Sequence, residues 1–336
     1  MERPRKLRLL GLAIGVLLLI VCLVFSITLG AADINPEMVW RSLTAFDGST
    51  NHLIITTVRL PRVLIALIVG AALAVAGSLM QGLTRNPLAD PGILGISAGA
   101  ALAVVVATFL LGTVSIQMYT WVAFAGGAIA AIAVYLLGSV GRSGITPLKL
   151  ILAGAVLTYL LSALTTGILI LNQRTLDEVR FWLAGSVAGR DLNVLLQVLP
   201  YIAVGLVIAF SLGKQITALT LGEEVAQGLG LRTEWVKAIA SVVVVLLAGS
   251  AVALAGPISF IGLIIPHIVR FWVGVDYRWI LPYSAIWGAI LLSLADLAAR
   301  LVIKPQELPV GIMTALVGAP FFIYLARFST SKVEQH

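Results

Sequence analysis

Residues 91–141 contain no Asp, Glu, Lys, Arg or His, and an uncharged run of 51 residues cannot cover a water-facing surface. Shorter uncharged runs occupy 9–32, 63–84, 150–173, 192–213 and 308–326. A bilayer core of ~30 Å is crossed by about 20 apolar residues of helix, because in hydrocarbon the backbone must satisfy its own hydrogen bonds. The long run therefore predicts two crossings and most of the shorter ones predict one each. Overall 60% of residues are hydrophobic and 11% charged, where a soluble domain carries roughly 25% charged residues. These patterns predict an all-α polytopic membrane protein, folded as a single transmembrane domain over 1–336.

Breaking the runs at charges, Pro and Gly predicts ten spans near 9–30, 61–80, 92–111, 117–139, 147–171, 193–212, 235–256, 259–273, 281–303 and 309–328. The first follows Arg3, Arg5, Lys6 and Arg8, and Ala31-Ala32 faintly resembles a cleavage site. Its 24 residues exceed the roughly 7–15 of a signal-peptide core, so it reads as a retained helix. Cys22 is the only cysteine, so there is no intrachain disulfide. The sequence pI near 9.8 does not point to nucleic acid, because the basic residues flank the spans. With the N-terminus inside, inner segments hold 14 Lys and Arg and outer segments 8, which favours both termini in the cytoplasm.

The third and eighth spans are short or begin directly after Pro/Gly turns, as irregular backbone does when it is buried by neighbouring helices or lines a pathway. The turn Asn86-Pro87-Leu88-Ala89-Asp90-Pro91-Gly92 has a weak echo in Leu254-Ala255-Gly256-Pro257 and its continuation to Gly262. An inverted repeat of spans two to five and seven to ten would place these turns on opposite sides; chance likeness of Pro/Gly turns is the competing account. Gly11/Gly15, Gly95/Gly99 and Gly185/Gly189 have the spacing that lets helices approach closely.

Catalytic and metal-binding patterns are missing. His52, His267 and His336 have no partners at ligand spacing, and His267 reads as a hydrogen-bonding residue near a helix end. Gly213-Lys214-Gln215 lacks the rest of a phosphate loop, so ATP, if used, is bound by another chain. Ion-coupled carriers, the alternative class, place ionisable groups within spans, and here the spans are almost empty of charge, with Asp296 and Arg300 set towards the outer end of the ninth. Spaced i,i+4 with the acid first, they pair along one helix face, or Arg300 projects outward to a partner.

Taken together, the motifs resemble the permease family of ABC importers for iron–siderophores, haem and cobalamin. The resemblance runs from Arg59 to about Leu325. It is carried by Arg59-Leu60-Pro61-Arg62, by Gly70 to Gly77 leading to Gln81-Gly82, and by Asn86 to Pro91 with Leu94-Gly95. Further along come Leu221 to Ala226 with Leu229-Gly230, Gly256 to Leu263 with Pro266-His267, and Ala295-Asp296 with Arg300. Glu307 to Gly311 and Gly318-Ala319-Pro320 complete it.

The resemblance implies a multi-pass protein of the bacterial cytoplasmic (inner) membrane, without a cofactor or nucleotide site of its own. Its implied partners are a second permease (identical or paralogous), two ATPase subunits and an extracytoplasmic substrate-binding protein. Iron(III)–siderophore is the implied cargo, with cobalamin or haem as alternatives within the family. Arg59, Arg62 and Arg300 match outer arginines that receive acidic residues of the binding protein. Glu223, Ala226, Leu229 and Gly230 match the loop that sits in the ATPase, and Glu224 adds an acceptor at its helix start. Asn86 and Leu88 match a cytoplasmic gate. A second constriction would fall near Thr146-Pro147-Leu148, where Pro and Leu depart from small hydroxyl residues. The spacing of Arg59 and Arg62 around Pro61 predicts two guanidinium groups on one helix face, turned outward.

Overall fold

The computed structural model describes residues 4–30, 34–140, 146–303 and 306–330. Arg3, Arg142, Lys304 and Lys332, used in the charge count, lie outside them. Every regular element among the described residues is helical. In chain order they are α1 (Arg5–Thr28), α2 (Pro36–Thr44), α3 (Thr50–Leu53), α4 (Leu60–Thr84), α5 (Ile96–Leu111), α6 (Ile116–Ser139), α7 (Pro147–Leu171) and α8 (Gln173–Leu183). There follow α9 (Leu192–Ser211), α10 (Gly213–Thr220), α11 (Glu223–Gly228), α12 (Thr233–Ala255), α13 (Ile261–Val273), α14 (Tyr277–Leu301) and α15 (Val310–Thr330). A π-helical stretch, Ile54–Arg59, joins α3 to α4, and a 3-10 turn, Pro91–Leu94, precedes α5.

Seven helices are long and apolar enough to cross a membrane, and three shorter apolar ones begin at Ile96, Ile261 and Val310. These ten fall on the ten predicted spans, with the third and eighth shortened as their Pro/Gly entries implied. The five remaining helices are too short or too polar to show as hydrophobic runs. Local chemistry sets the boundaries. Ser115, Thr146, Asn172, Asp191 and Asp276 each accept a main-chain N–H of the following first turn, satisfying donors that a helix start leaves free. Gly112, Gly256 and Gly274, with φ of 74°, 72° and 79°, end α5, α12 and α13 in a backbone region that costs glycine nothing.

The core is built around α4, whose apolar window is 78% buried, whereas those of α1 and α7 are 17% and 11% buried and face outward. α4 lies along α14 and also packs on α12 and α13. Lipid tails are as apolar as the side chains, so helix association here rests on close packing rather than escape from water. Glycine supplies it. A Cβ on Gly70 would overlap the Gly288 carbonyl of α14, and one on Gly77 the Gly262 carbonyl of α13. Of the spacings noted in the sequence, Gly11 and Gly15 face Tyr283 and Ile286 of α14, and Gly99 abuts Gly126 of α6.

Candidate functional site

Three groups of residues matter: a charged cluster at the C-terminal end of α1, two broken-helix entries inside the bundle, and the α10–α11 loop.

The cluster forms where α4 begins, α14 ends and α1 runs out. Arg59 closes the π-helical turn and donates through Nη1 to the Ile27 and Thr28 carbonyls at 2.6 and 2.9 Å. Arg300 donates to the carbonyls of Ser26 and Leu29 and to Ser26 Oγ, at 3.0, 3.1 and 2.7 Å. The last carbonyls of a helix have no partner within it and carry its negative end, so cations gather there. Asp296, 1% exposed, binds Arg62 Nε with both oxygens at 3.0 and 3.1 Å and pairs with Arg300 Nε at 3.2 Å. Arg62 also pairs with Glu307, whose side chain is 36% exposed.

The i,i+4 pairing of Asp296 with Arg300 is present. The outward presentation of Arg59 and Arg62 is not: they are 6% exposed each, and Arg300 is 3% exposed. The two arginines do share a face of the chain, but that face looks at α1 and α14. A guanidinium holds five N–H donors, and a helix end with a bidentate carboxylate satisfies more of them than open solvent contact orders.

The two echoing turns meet inside the bundle. Arg85, at φ 49°, ends α4 and turns the chain back on itself. Asn86 Oδ1 accepts from Leu88 N at 2.9 Å, so the Asn86 side chain is tied into its own turn while Leu88 stands half-buried. Asp90 Oδ1 accepts from Gly92 N at 2.8 Å, and a Cβ on Gly262 would stand 3.2 Å from Asp90 Oδ2. A cavity of about 10 Å3, lined by Asp90, Gly92, Ile258 and Gly262 among others, lies between the turns; that is room for one water. Thr146 caps α7 through Lys149 N, and Leu148 is exposed.

Sequence reasoning gave no role to Gln81. Its amide donates to the Gly262 and Leu263 carbonyls at 3.2 and 3.4 Å, and its oxygen accepts from Arg270 at 2.6 Å. Arg270 also donates to Tyr277 Oη at 3.0 Å. A buried amide among apolar residues, on the face of α4 that carries Gly70 and Gly77, was the available signal.

The third group is α10, α11 and the start of α12. Glu223 is held by Lys237 at 2.6 Å and by Thr233 at 3.4 Å. The Lys237 hydrogen bond, foremost, keeps the Glu223 carboxyl below the usual glutamate range. Gly222 and Gly230, with φ of 122° and 82°, bracket the short helix. Ala226 is fully buried, so it packs the loop against the body instead of meeting a partner. Glu224 and Gly230 are exposed, as are Leu221, Val225, Leu229 and Trp235. An apolar patch on a segment too polar to enter lipid is a protein-contact surface.

A bundle of apolar helices with broken members at its centre, joined by short polar helices outside the spans, is the architecture of a membrane transport subunit. The chain belongs to the FecCD transport family, whose model matches residues 18–328. It is 52% identical over 318 residues, 92% of this chain and 96% of the relative, to the "Probable siderophore transport system permease protein YfiZ" of Bacillus subtilis. It is 41% identical over 314 residues, 94% of each chain, to the ferric enterobactin transport system permease protein FepD of Escherichia coli. A solved metal-chelate type ABC transporter in an inward-facing conformation superposes with a TM-score of 0.81 at 32% identity, covering 94% of this chain and 98% of that one.

Proposed function

We propose that this chain is the permease subunit of an ABC importer that carries iron(III)–siderophore chelates across the bacterial inner membrane. The observation that carries the reading is the exposed apolar patch of Leu221, Val225, Leu229 and Trp235 around the glycine-bracketed α11, within a chain of the FecCD family. Two ATPase subunits bind there and supply the energy, and a second permease, identical or paralogous, completes the path. Both termini are cytoplasmic, which puts the α1 C-terminal cluster outside. Likeness to YfiZ and FepD supports a siderophore over cobalamin or haem as cargo.

The extracytoplasmic binding protein docks over the outer cluster. Arg62 is the arginine within its reach, because its partner Glu307 is partly exposed and a docking carboxylate can take its place. Arg59 and Arg300, tied to α1 carbonyls, hold that surface in shape. Asn86 and Leu88 close the inner end as a gate, and their Asx turn fixes the chain where α4 turns back. The single domain of 1–336 is built as an inverted repeat in which the two touching turns are counterparts.

The test is purification with the candidate ATPases and uptake in liposomes. A stable complex whose ATP hydrolysis drives chelate uptake supports the reading. Uptake by this chain alone on a proton or sodium gradient refutes it.

A further inference from the structure

Away from the path, α1 leans on α13 and α14 with a cavity of about 200 Å3 left between them. Arg8, Gly11, Ile14 and Leu18 form one wall, and Trp272 and Trp287 stand opposite. The cavity is apolar apart from Arg8, the Tyr283 hydroxyl and the Trp287 indole, and of these Arg8 Nε and Trp287 Nε1 are buried and make no hydrogen bond. The Arg8 side chain is 8% exposed, yet its nearest carboxylate oxygen, on Asp276, is 3.8 Å away. That carboxylate is already taken by Arg278, at 2.7 to 3.0 Å. The Trp279 ring lies 5.9 Å from the Arg8 guanidinium, and Tyr283 Oη donates to the Arg8 carbonyl, fixing the helix but leaving Arg8 Nε without a hydrogen bond.

We propose that this groove binds one anionic glycerophospholipid, with its phosphate on Arg8 and an acyl chain along Ile14 and Leu18. Arg8 stands at the start of the uncharged run of α1, the level at which headgroups lie. Arg5 and Lys6 are exposed within the turn before it, and Arg5 shares its face. Arg8 in the groove, with Arg5 on the same helix face above it, favours a phosphodiester with no compensating choline. Trp287 Nε1 faces Gly15, about 10 Å further along the helix axis than Arg8, where an ester carbonyl of the same lipid can accept it. Glycine at 11 and 15 keeps the groove open, since a side chain at 11 would run into Tyr283. A phosphate ion would leave the deeper donor and the apolar wall unused, and a second protein chain would need its own acid at this depth.

The test uses the full-length chain in bilayers with brominated lipids that quench tryptophan at contact. Brominated phosphatidylglycerol is expected to quench the Trp272–Trp287 pair at about fivefold lower mole fraction than brominated phosphatidylcholine, the factor given by ~1 kcal/mol per cation near an anionic headgroup. Arg8→Gln should bring the two lipids together, and Arg8→Lys should keep most of the preference. Competition on the unaltered chain needs no variant: unlabelled phosphatidylglycerol should restore fluorescence about fivefold more effectively than phosphatidylcholine. Equal quenching by the two lipids overturns the proposal, as does relief of quenching by millimolar inorganic phosphate, which would mark a simple anion site. Absence of quenching by either lipid in a cross-linkable dimer also overturns it, since a second copy then fills the groove.

Discussion

Asp296→Asn removes the one fully buried negative charge from the α1–α4–α14 cluster and leaves its shape intact. In the native cluster the carboxylate meets Arg62 Nε with both oxygens at 3.0 and 3.1 Å and Arg300 at 3.2 Å, with all three side chains at most 8% exposed. Breaking a buried pair by removing one partner costs roughly 3–5 kcal/mol, because a charge is left without compensation. Here two cations are stranded, but the α1 carbonyls still hold Arg300 and Glu307 still holds Arg62, so the lower end of that range applies. Against a total stability of about 5–15 kcal/mol, the midpoint for loss of the monodisperse species on heating in detergent should fall by at least ~5 °C. Arg62→Met added to Asp296→Asn should recover part of the loss, since one stranded cation goes with it. A drop under ~2 °C, or a double variant worse than the sum of its parts, would show that the helix end alone satisfies the arginines. The same geometry predicts that Arg59→Glu harms assembly before it harms docking, because it sets a carboxylate against two main-chain carbonyls.

Leu229→Asp on the exposed patch should leave thermal stability within ~0.5 kcal/mol of the parent yet abolish co-purification with the ATPase; retained complex at equal expression would contradict the assignment. Gly77→Val forces a branched side chain into the Gly262 carbonyl and should cost at least ~3 kcal/mol, read as loss of monodisperse protein, whereas Gly167→Ala, in open space, should be silent. Glu223 is held below its usual range by Lys237, so its bond to α12 is fully present above the ordinary glutamate pKa and is lost as pH falls through the lowered one; protease protection of the loop should drop over that acid window, and Glu223→Gln should erase the dependence. Glu307→Gln should tighten binding-protein affinity at low salt by unmasking Arg62, and unchanged affinity would remove Arg62 from the docking surface.

Much of this architecture was legible before any coordinates. Charge-free runs of helical length located seven of the ten apolar helices, because charge is excluded from hydrocarbon, and breaks at charges, Pro and Gly located the other three. Residues such as Pro91 and Pro257 also marked where α5 and α13 are cut short. The direction of the outer arginines was not legible. Spacing places Arg59 and Arg62 on one face but cannot say what that face meets, and the end of α1 is more than 30 residues distant in sequence. Glycine spacing found real close approaches at Gly11, Gly15 and Gly99 but not the tightest ones. The backbone contacts of Gly70 with Gly288 and Gly77 with Gly262 pair residues from different helices, so a search within one helix at spacing four finds other positions. Ala226 shows the limit of carrying roles over from a family, since a matching residue can build a surface without being on it.

The glycine contacts along α4 also bear on how the bundle can move. Side chains packed against one another can change rotamer and slide, but main chain seated on main chain has nothing to yield. α4 touches α14 at Gly70–Gly288 and α13 at Gly77–Gly262, one main-chain seat on each neighbour, seven residues apart along α4. Close seating of this kind leaves little room for sliding, so α4, α13 and α14 are expected to move together. An alternation of access has to bend the chain between Arg85 and Gly95, where both ends are left-handed and Asn86 and Asp90 each bond only to their own turn. A transport stroke in this protein is therefore expected to fall on the helices around this trio, with α4, α13 and α14 as the post against which they swing.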